Sequence, residues 1–186
     1  MEALKPKKGI LMAAEPSITG DLSFNRSVIL LADHSEEGSI GFILNKVLDH
    51  NLSELIPGIK KDFLVYYGGP VEQDNLYFIH KVPSLIPDSI EIAEGIYWGG
   101  NFEAVKKLIQ NNLITDKEIK FFLGYSGWDL NQLEEELHAK AWILINEYAQ
   151  EEILEKNYHN FWKEKLDELG GEYLIWSNAP ENPSYN

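Results

Sequence analysis

The stretch 119–145, IKFFLGYSGWDLNQLEEELHAKAWILI, most constrains what this chain can fold into, because its hydrophobic period changes twice within a few turns of chain. Residues 119–123 (IKFFL) are apolar and rich in β-formers, which predicts a short buried strand ended by Gly124 and Gly127. A helix is expected at once. Asp129 is a good N-cap, Gln132 stands three residues on where its side chain can close a capping box, and Trp128 ahead of the cap faces Leu133 as a hydrophobic staple. Leu130, Leu133, Leu137 and Ala141 recur at helical spacing and predict an inward stripe. Glu134, Glu135 and Glu136 crowd the first turns, where the helix dipole favours negative charge. Residues 141–145 (AWILI) could extend that helix or start a second strand, and their branched residues favour the strand.

Two chemical readings of this stretch fail on their own terms. The run Gly124-Tyr125-Ser126-Gly127-Trp128 has the outline of a nucleophile elbow, but Trp128 stands where that tight turn requires a second glycine. Glu134 and His138 lie four apart on one helix face, yet a structural metal site needs three or four ligands. A solvated side-chain pair at that spacing is an ordinary feature of a helix surface. No metal or cofactor is therefore assigned.

A chain of 186 residues buries about 70% of its unfolded surface, enough for a core without disulfide or metal. It has no cysteine, so disulfides, thiolate nucleophiles and zinc ribbons are excluded, which fits a reducing cytoplasm. The start, MEALKPKKG, lacks the apolar core of a signal peptide, and no apolar run is long enough to span a bilayer. The expectation is a protein that is neither secreted nor embedded in a membrane. Thirty acidic residues against 16 Lys and Arg give a net charge of -14, with the cations scattered rather than clustered. Phosphate backbones are held by clustered Lys and Arg, so direct nucleic-acid binding is disfavoured.

Along the chain, residues 9–14 (GILMAA) predict a strand, and 26–32 (RSVILLA) with 39–44 (SIGFIL) a hairpin turning at 33–38, which places His34 in a turn. Their continuous apolar character predicts strands covered on both faces. A short helix is expected over 51–56, stopped by Pro57-Gly58, and strands over 63–67 and 76–80. Between these strands lies Gly68-Gly69-Pro70-Val71, read as a structural turn because no P-loop Lys or Ser/Thr follows it. Strands are expected over 90–93 and 96–98, then a helix over 102–111 capped by Asn101 with Phe102, Val105, Leu108 and Ile109 inward. Helical tracts follow over 150–155 and 158–169, the second with Phe161, Trp162, Leu166 and Leu169 on one face and Gly170-Gly171 as its stop. With no repeat or linker, the reading is one α+β domain over 1–186, with flexible tails at 1–8 and 178–186.

The motifs GSIGFILNK (38–46), GGPV (68–71) and GYSGWDLNQLEEEL (124–137), in this order, together with the opening GILMAA, FNRSV at 24–28 and the late FW…LG helix end, resemble the YqgE/AlgH family of bacterial proteins. One departure is Asn131, where that family commonly carries glycine; asparagine tolerates the same dihedrals. The resemblance implies a small closed β-barrel with a branched, mostly antiparallel sheet flanked by helices. It also implies a proposed regulatory role in transcription, which transfers no catalytic residue. The functional expectation is thus a non-enzymatic regulatory or binding protein that contacts a protein or a small molecule. The alternative is a cryptic enzyme or ligand sensor whose pocket gathers polar residues from the motif ends: Arg26, Asn45, His80, Ser126, Gln132 and Glu136, with Trp128 beside them. Buried polar groups at strand ends more often serve backbone hydrogen bonds and caps. A cleft uniting His80, Arg26 and Glu136 would favour the enzyme.

Overall fold

The computed structural model describes residues 4–17, 21–154 and 159–181. Parts of the expected tails (1–3 and 182–186), Glu155 at the end of the expected helix 150–155, and Tyr158 of the expected helix 158–169 lie outside the described residues.

One strand organises the sheet. β9 (Ile119–Trp128) runs straight through Gly124 and Gly127 instead of ending there. It pairs antiparallel with β6 (Val71–His80), parallel with β5 (Leu64–Tyr67) through 121–123, and antiparallel with β3 (Gly38–Ile43) through 126–128. From β3 the sheet continues through β2 (Val28–Ser35) and β1 (Leu11–Ala14) to β10 (Trp142–Ile145). From β6 it continues through β8 (Ile96–Trp98) to β7 (Ile90–Ala93), and β4 (Val47–Asn51) pairs with β5. The branched and mostly antiparallel character is as expected. The closed barrel is not: the path runs open from β10 to β7, because β9 shares its pairing among three strands and so divides the sheet rather than rolling it shut.

The fork explains the glycines. Gly124 has φ 71°, and a Cβ there would lie 2.5 Å from the Gly69 carbonyl oxygen. Gly69 has φ 154°, and its Cβ would lie 2.2 Å from the Tyr125 carbonyl carbon. Both positions need a residue without a side chain. The Gly68 N–H donates to Leu123 O at 2.9 Å, and the Ile43 N–H donates to Gly68 O at 3.0 Å, so the turn is stitched between two strands.

Alternation along β1 and β2 sends side chains to both faces, which accounts for their continuous apolar runs. Leu11, Ala13, Val28 and Leu30 pack with Ile153, Phe161, Trp162 and Leu166 from α4 (Gln150–Leu154) and α5 (Phe161–Leu169). Met12, Ala14, Ile29 and Leu31 pack with Trp128, Trp142 and Leu133 of α3 (Gln132–His138). A third cluster lies under α1 (Leu52–Leu55) and α2 (Phe102–Gln110), around Phe63, Val65, Phe78, Val105 and Phe121. β9 feeds all three through Phe121, Phe122 and Trp128. Burying each such aromatic stabilises by roughly 1.5–3 kcal/mol.

Several local expectations shift. α3 starts at Gln132, and its N-cap is Asn131 at φ 63°, the left-handed conformation that asparagine was expected to tolerate. Gln132 Oε1 still accepts the Asp129 N–H at 3.0 Å, so half of the capping box forms one turn early. Leu130 is consequently 60% exposed instead of joining the inward stripe, and Leu169 is 40% exposed at the end of α5. The hairpin turns only after Ser35, so His34 lies in a strand. β4 and the short α6 (Tyr173–Ser177) had no sequence signal strong enough to show them.

Candidate functional site

The seven polar and aromatic candidates fall into four places. Ser126 is fully buried, and its hydroxyl donates to Gly68 O at 3.0 Å. That carbonyl already receives the Ile43 N–H, so Ser126 is a second rivet of the fork. His80 is also fully buried. The Val82 N–H donates to its Nδ1 at 3.2 Å, which leaves Nε2 as the protonated nitrogen facing Gly99 O at 3.2 Å. The ring stacks on Tyr97 at 6.0 Å. Burial lowers the His80 pKa below the ordinary histidine value, and the Gly99 carbonyl opposes the shift.

Trp128, Gln132 and Glu136 form one clamp. The indole N–H groups of Trp128 and Trp142 both donate to Glu136 Oε2, at 2.9 and 2.7 Å, and Gln132 Nε2 donates to Oε1 at 3.0 Å. The two indoles meet edge to face at 6.0 Å, and Phe24 packs against both. The carboxylate thus joins α3 to β9 and β10. Trp128 and Gln132 also line a surface recess of about 510 Å³ whose charged groups are the carboxylates of Asp33, Glu37 and Asp129.

Arg26 and Asn45 come together in a different pocket, of about 380 Å³. Arg26 has φ 53°, a conformation that costs a non-glycine residue of order 1–3 kcal/mol and persists only where its surroundings fix it. Asn45 supplies that fixation: its Nδ2 donates to Arg26 O at 2.9 Å while its Oδ1 accepts the Val28 N–H at 2.9 Å. The Arg26 guanidinium lies 5.0 Å over the Trp162 ring. Trp162 in turn donates its indole N–H to Ala14 O at 2.9 Å, which docks α5 on β1. Lys46 completes this wall, donating to Ser23 O at 2.7 Å and Leu22 O at 3.0 Å. Burial lowers the Lys46 pKa below the ordinary lysine value, against the opposing fields of Asp21 and Glu181.

His80, Arg26 and Glu136 are therefore not united in one cleft; each has its own partners. Lys46, Trp162 and Lys163 belong to the Arg26 pocket but were not among the candidates, Lys46 and Trp162 standing in motifs read for fold and Lys163 in none. A further constellation also went unread. His34 Nδ1 lies 2.8 Å from Ser39 Oγ, and His34 Nε2 lies 3.7 Å from Glu134 Oε1. The order hydroxyl, imidazole, carboxylate has the outline of a nucleophile relay. Yet Ser39 pairs with His34 on one side and Trp128 on the other, so the amides beside it belong to the sheet, and an oxyanion would lack a donor there. Among the described residues no group of three His, Cys, Asp or Glu side chains is placed to hold a metal, and no helix is long and apolar enough to cross a membrane.

The DUF179 family model, described as AlgH-like, matches residues 11–174. The chain belongs to the AlgH-like family. Among its AlgH-like relatives, the UPF0301 protein of Bacteroides fragilis is 40% identical over 184 residues, covering 97% of this chain and 92% of its own length. That of Chlorobaculum tepidum is 37% identical over 186 residues, covering 100% and 97%. Two solved structures share the fold. A Corynebacterium diphtheriae protein matches with a TM-score of 0.76 at 20% identity, covering 96% of this chain and 95% of its own. The AlgH protein of Pseudomonas aeruginosa matches with a TM-score of 0.72 at 24% identity, covering 97% and 98%. Across the AlgH-like motifs of this chain, GGPV and GYSGW build the fork, whereas FNRSV and the Asn45-Lys46 end of GSIGFILNK build the Arg26 pocket.

Proposed function

We propose that this AlgH-like chain is a non-enzymatic binding protein, with the regulatory role that the family resemblance implies, and that it meets its protein or small-molecule partner at the Arg26 pocket. The observation that carries this reading is the contrast between the candidates. Ser126, His80 and Glu136 spend their polar atoms on backbone or indole groups inside the fold, while Arg26 and Lys46, though each also bonds backbone carbonyls, line a solvent-open pocket. Large concave sites with a few convergent polar groups are where ligands are bound. The acidity of the chain supports a partner other than duplex nucleic acid.

Hydrogen exchange of the protein, with and without the small-molecule and protein fractions of a cell extract, tests the reading. Protection confined to segments 22–28, 44–47 and 159–163 is expected. Protection centred on β9 instead, or turnover of an added component that Ser126→Ala abolishes at unchanged melting temperature, would overturn it.

A further inference from the structure

The Arg26 pocket concentrates charge of one sign on a chain of the other. Three cations line it, Arg26, Lys46 and Lys163, against one carboxylate, Glu181, while the whole chain carries a net charge of -14. The cations come from three separated segments: the loop before β2, the exit of β3 and the first turn of α5. Two of them are held in place by their surroundings, Lys46 by hydrogen bonds to the Leu22 and Ser23 carbonyls and Arg26 by packing over the Trp162 ring. A guanidinium fork beside an ammonium matches the oxygens of a phosphoryl or carboxylate group.

What occupies these donors is the chain's own C-terminal segment. Arg26 Nη2 donates to Ala179 O at 2.6 Å. Lys163 Nζ donates to Asn178 Oδ1 at 2.7 Å. Glu181 lines the same pocket, and its carboxylate acts on the Lys46 ammonium. Three oxygen-bearing groups within four residues, the Asn178 amide, the Ala179 carbonyl and the Glu181 carboxylate, thus face three cations, of which Lys46 also holds the Leu22 and Ser23 carbonyls and lies in the field of Asp21. The strap also has little else to hold it: Asn178 caps α6 through Leu174 O, and residues 178, 180 and 181 are exposed.

Resting on the binding reading above, we infer that the Arg26 pocket is a site for a small oxyanion ligand, one bearing phosphoryl or carboxylate oxygens, and that residues 178–181 form a strap whose own oxygens stand in for that ligand and compete with it. A strap closed in about nine molecules of ten weakens the apparent affinity about tenfold, since binding requires the open fraction. Ligand entry and release of the 178–181 strap are then one event. The site senses an anion by exchanging an internal one for it.

The test is calorimetric titration of inorganic pyrophosphate and, separately, of citrate into three proteins: the full chain, a chain ending at Ser177, and full-length Glu181→Gln. One of the two probes is expected to bind the shortened chain about tenfold more tightly than the full chain, and to bind Glu181→Gln with an intermediate gain. Which probe responds assigns phosphoryl or carboxylate chemistry. Arg26→Leu or Lys46→Met in the shortened chain should abolish that gain, with near-ultraviolet circular dichroism confirming the fold. Glu181→Gln keeps the chain length, so a shortened chain that unfolds does not remove the test. Equal affinity in all three proteins, with exchange protection still at 22–28, would overturn the strap while leaving the binding reading in place. Failure of both probes to bind any of the three would overturn the oxyanion assignment. Failure of extract components to protect this pocket in either chain length would overturn the binding reading itself.

Discussion

Replacing Glu136 by leucine removes the one carboxylate that both indoles address. Trp128 and Trp142 are 5% and 6% exposed, so their N–H groups would have almost no water to turn to. Each orphaned buried donor costs about 1–3 kcal/mol. Glu136 itself is half-buried, so solvent reaching its side relieves part of that cost, and the expected loss is about 2–4 kcal/mol. For a chain of this size the loss lowers Tm by about 4–16 °C. Glu136→Gln keeps the shape and one acceptor oxygen for the indoles, but it sets an amide N–H₂ against Gln132 Nε2, and it should cost about 1 kcal/mol. Urea unfolding followed by tryptophan fluorescence reads both, with an unchanged m-value showing that the native and denatured states keep their compactness. A loss below about 0.5 kcal/mol for Glu136→Leu, or equal losses for the two variants, would refute the clamp.

Ser126→Ala should cost only about 1 kcal/mol, because Gly68 O keeps the Ile43 N–H; a thermal melt showing a much larger loss would mean that the hydroxyl does more than bind this carbonyl. Gly69→Ala should cost more than about 3 kcal/mol or prevent folding, since its Cβ meets backbone that cannot step aside; near-native soluble yield and Tm would contradict this. His80 is held neutral, so its contribution is complete above its ordinary pKa of 6.5 and is lost as the pH falls below it toward the lowered folded-state value, by up to about 1.4 kcal/mol per pH unit. His80→Gln should therefore show a shallower fall in stability as the pH drops below about 6.5, and parallel slopes would show that the ring does not titrate on unfolding.

What the sequence made legible was local. The hairpin of β2 and β3, the Asn101 cap of α2 at 3.0 Å from Ala104 N, the strand over 142–145 and the two-faced burial of β1 and β2 all follow from patterns within a few residues. The length of β9 did not, because Gly124 and Gly127 signal a break in isolation and become strand residues only where β3, β5 and β6 supply partners. β4 (VLDHN) is too polar to advertise itself and exists because β5 lies beside it. The candidate list named Arg26 and Asn45 but could not join them to Trp162, whose docking on Ala14 spans 148 positions of sequence.

The fork and the pocket are built from one short run of chain. At Ile43 the N–H enters the fork through Gly68 O; at Leu44 the N–H extends the β2–β3 ladder to Val28 O; at Asn45 the side chain fixes Val28 and Arg26. Lys46 then offers its carbonyl to the Tyr67 N–H at 2.7 Å, immediately before the paired glycines of the fork. Four consecutive residues thus tie the strained Arg26 backbone to the most crowded point of the sheet. A rigid anchor of this kind is what a non-glycine residue in the left-handed region requires. It follows that the motif residues which look catalytic in sequence, Ser126 and the glycines around it, hold backbone in place, while the same run carries Asn45 and Lys46 from the fork to the pocket proposed above.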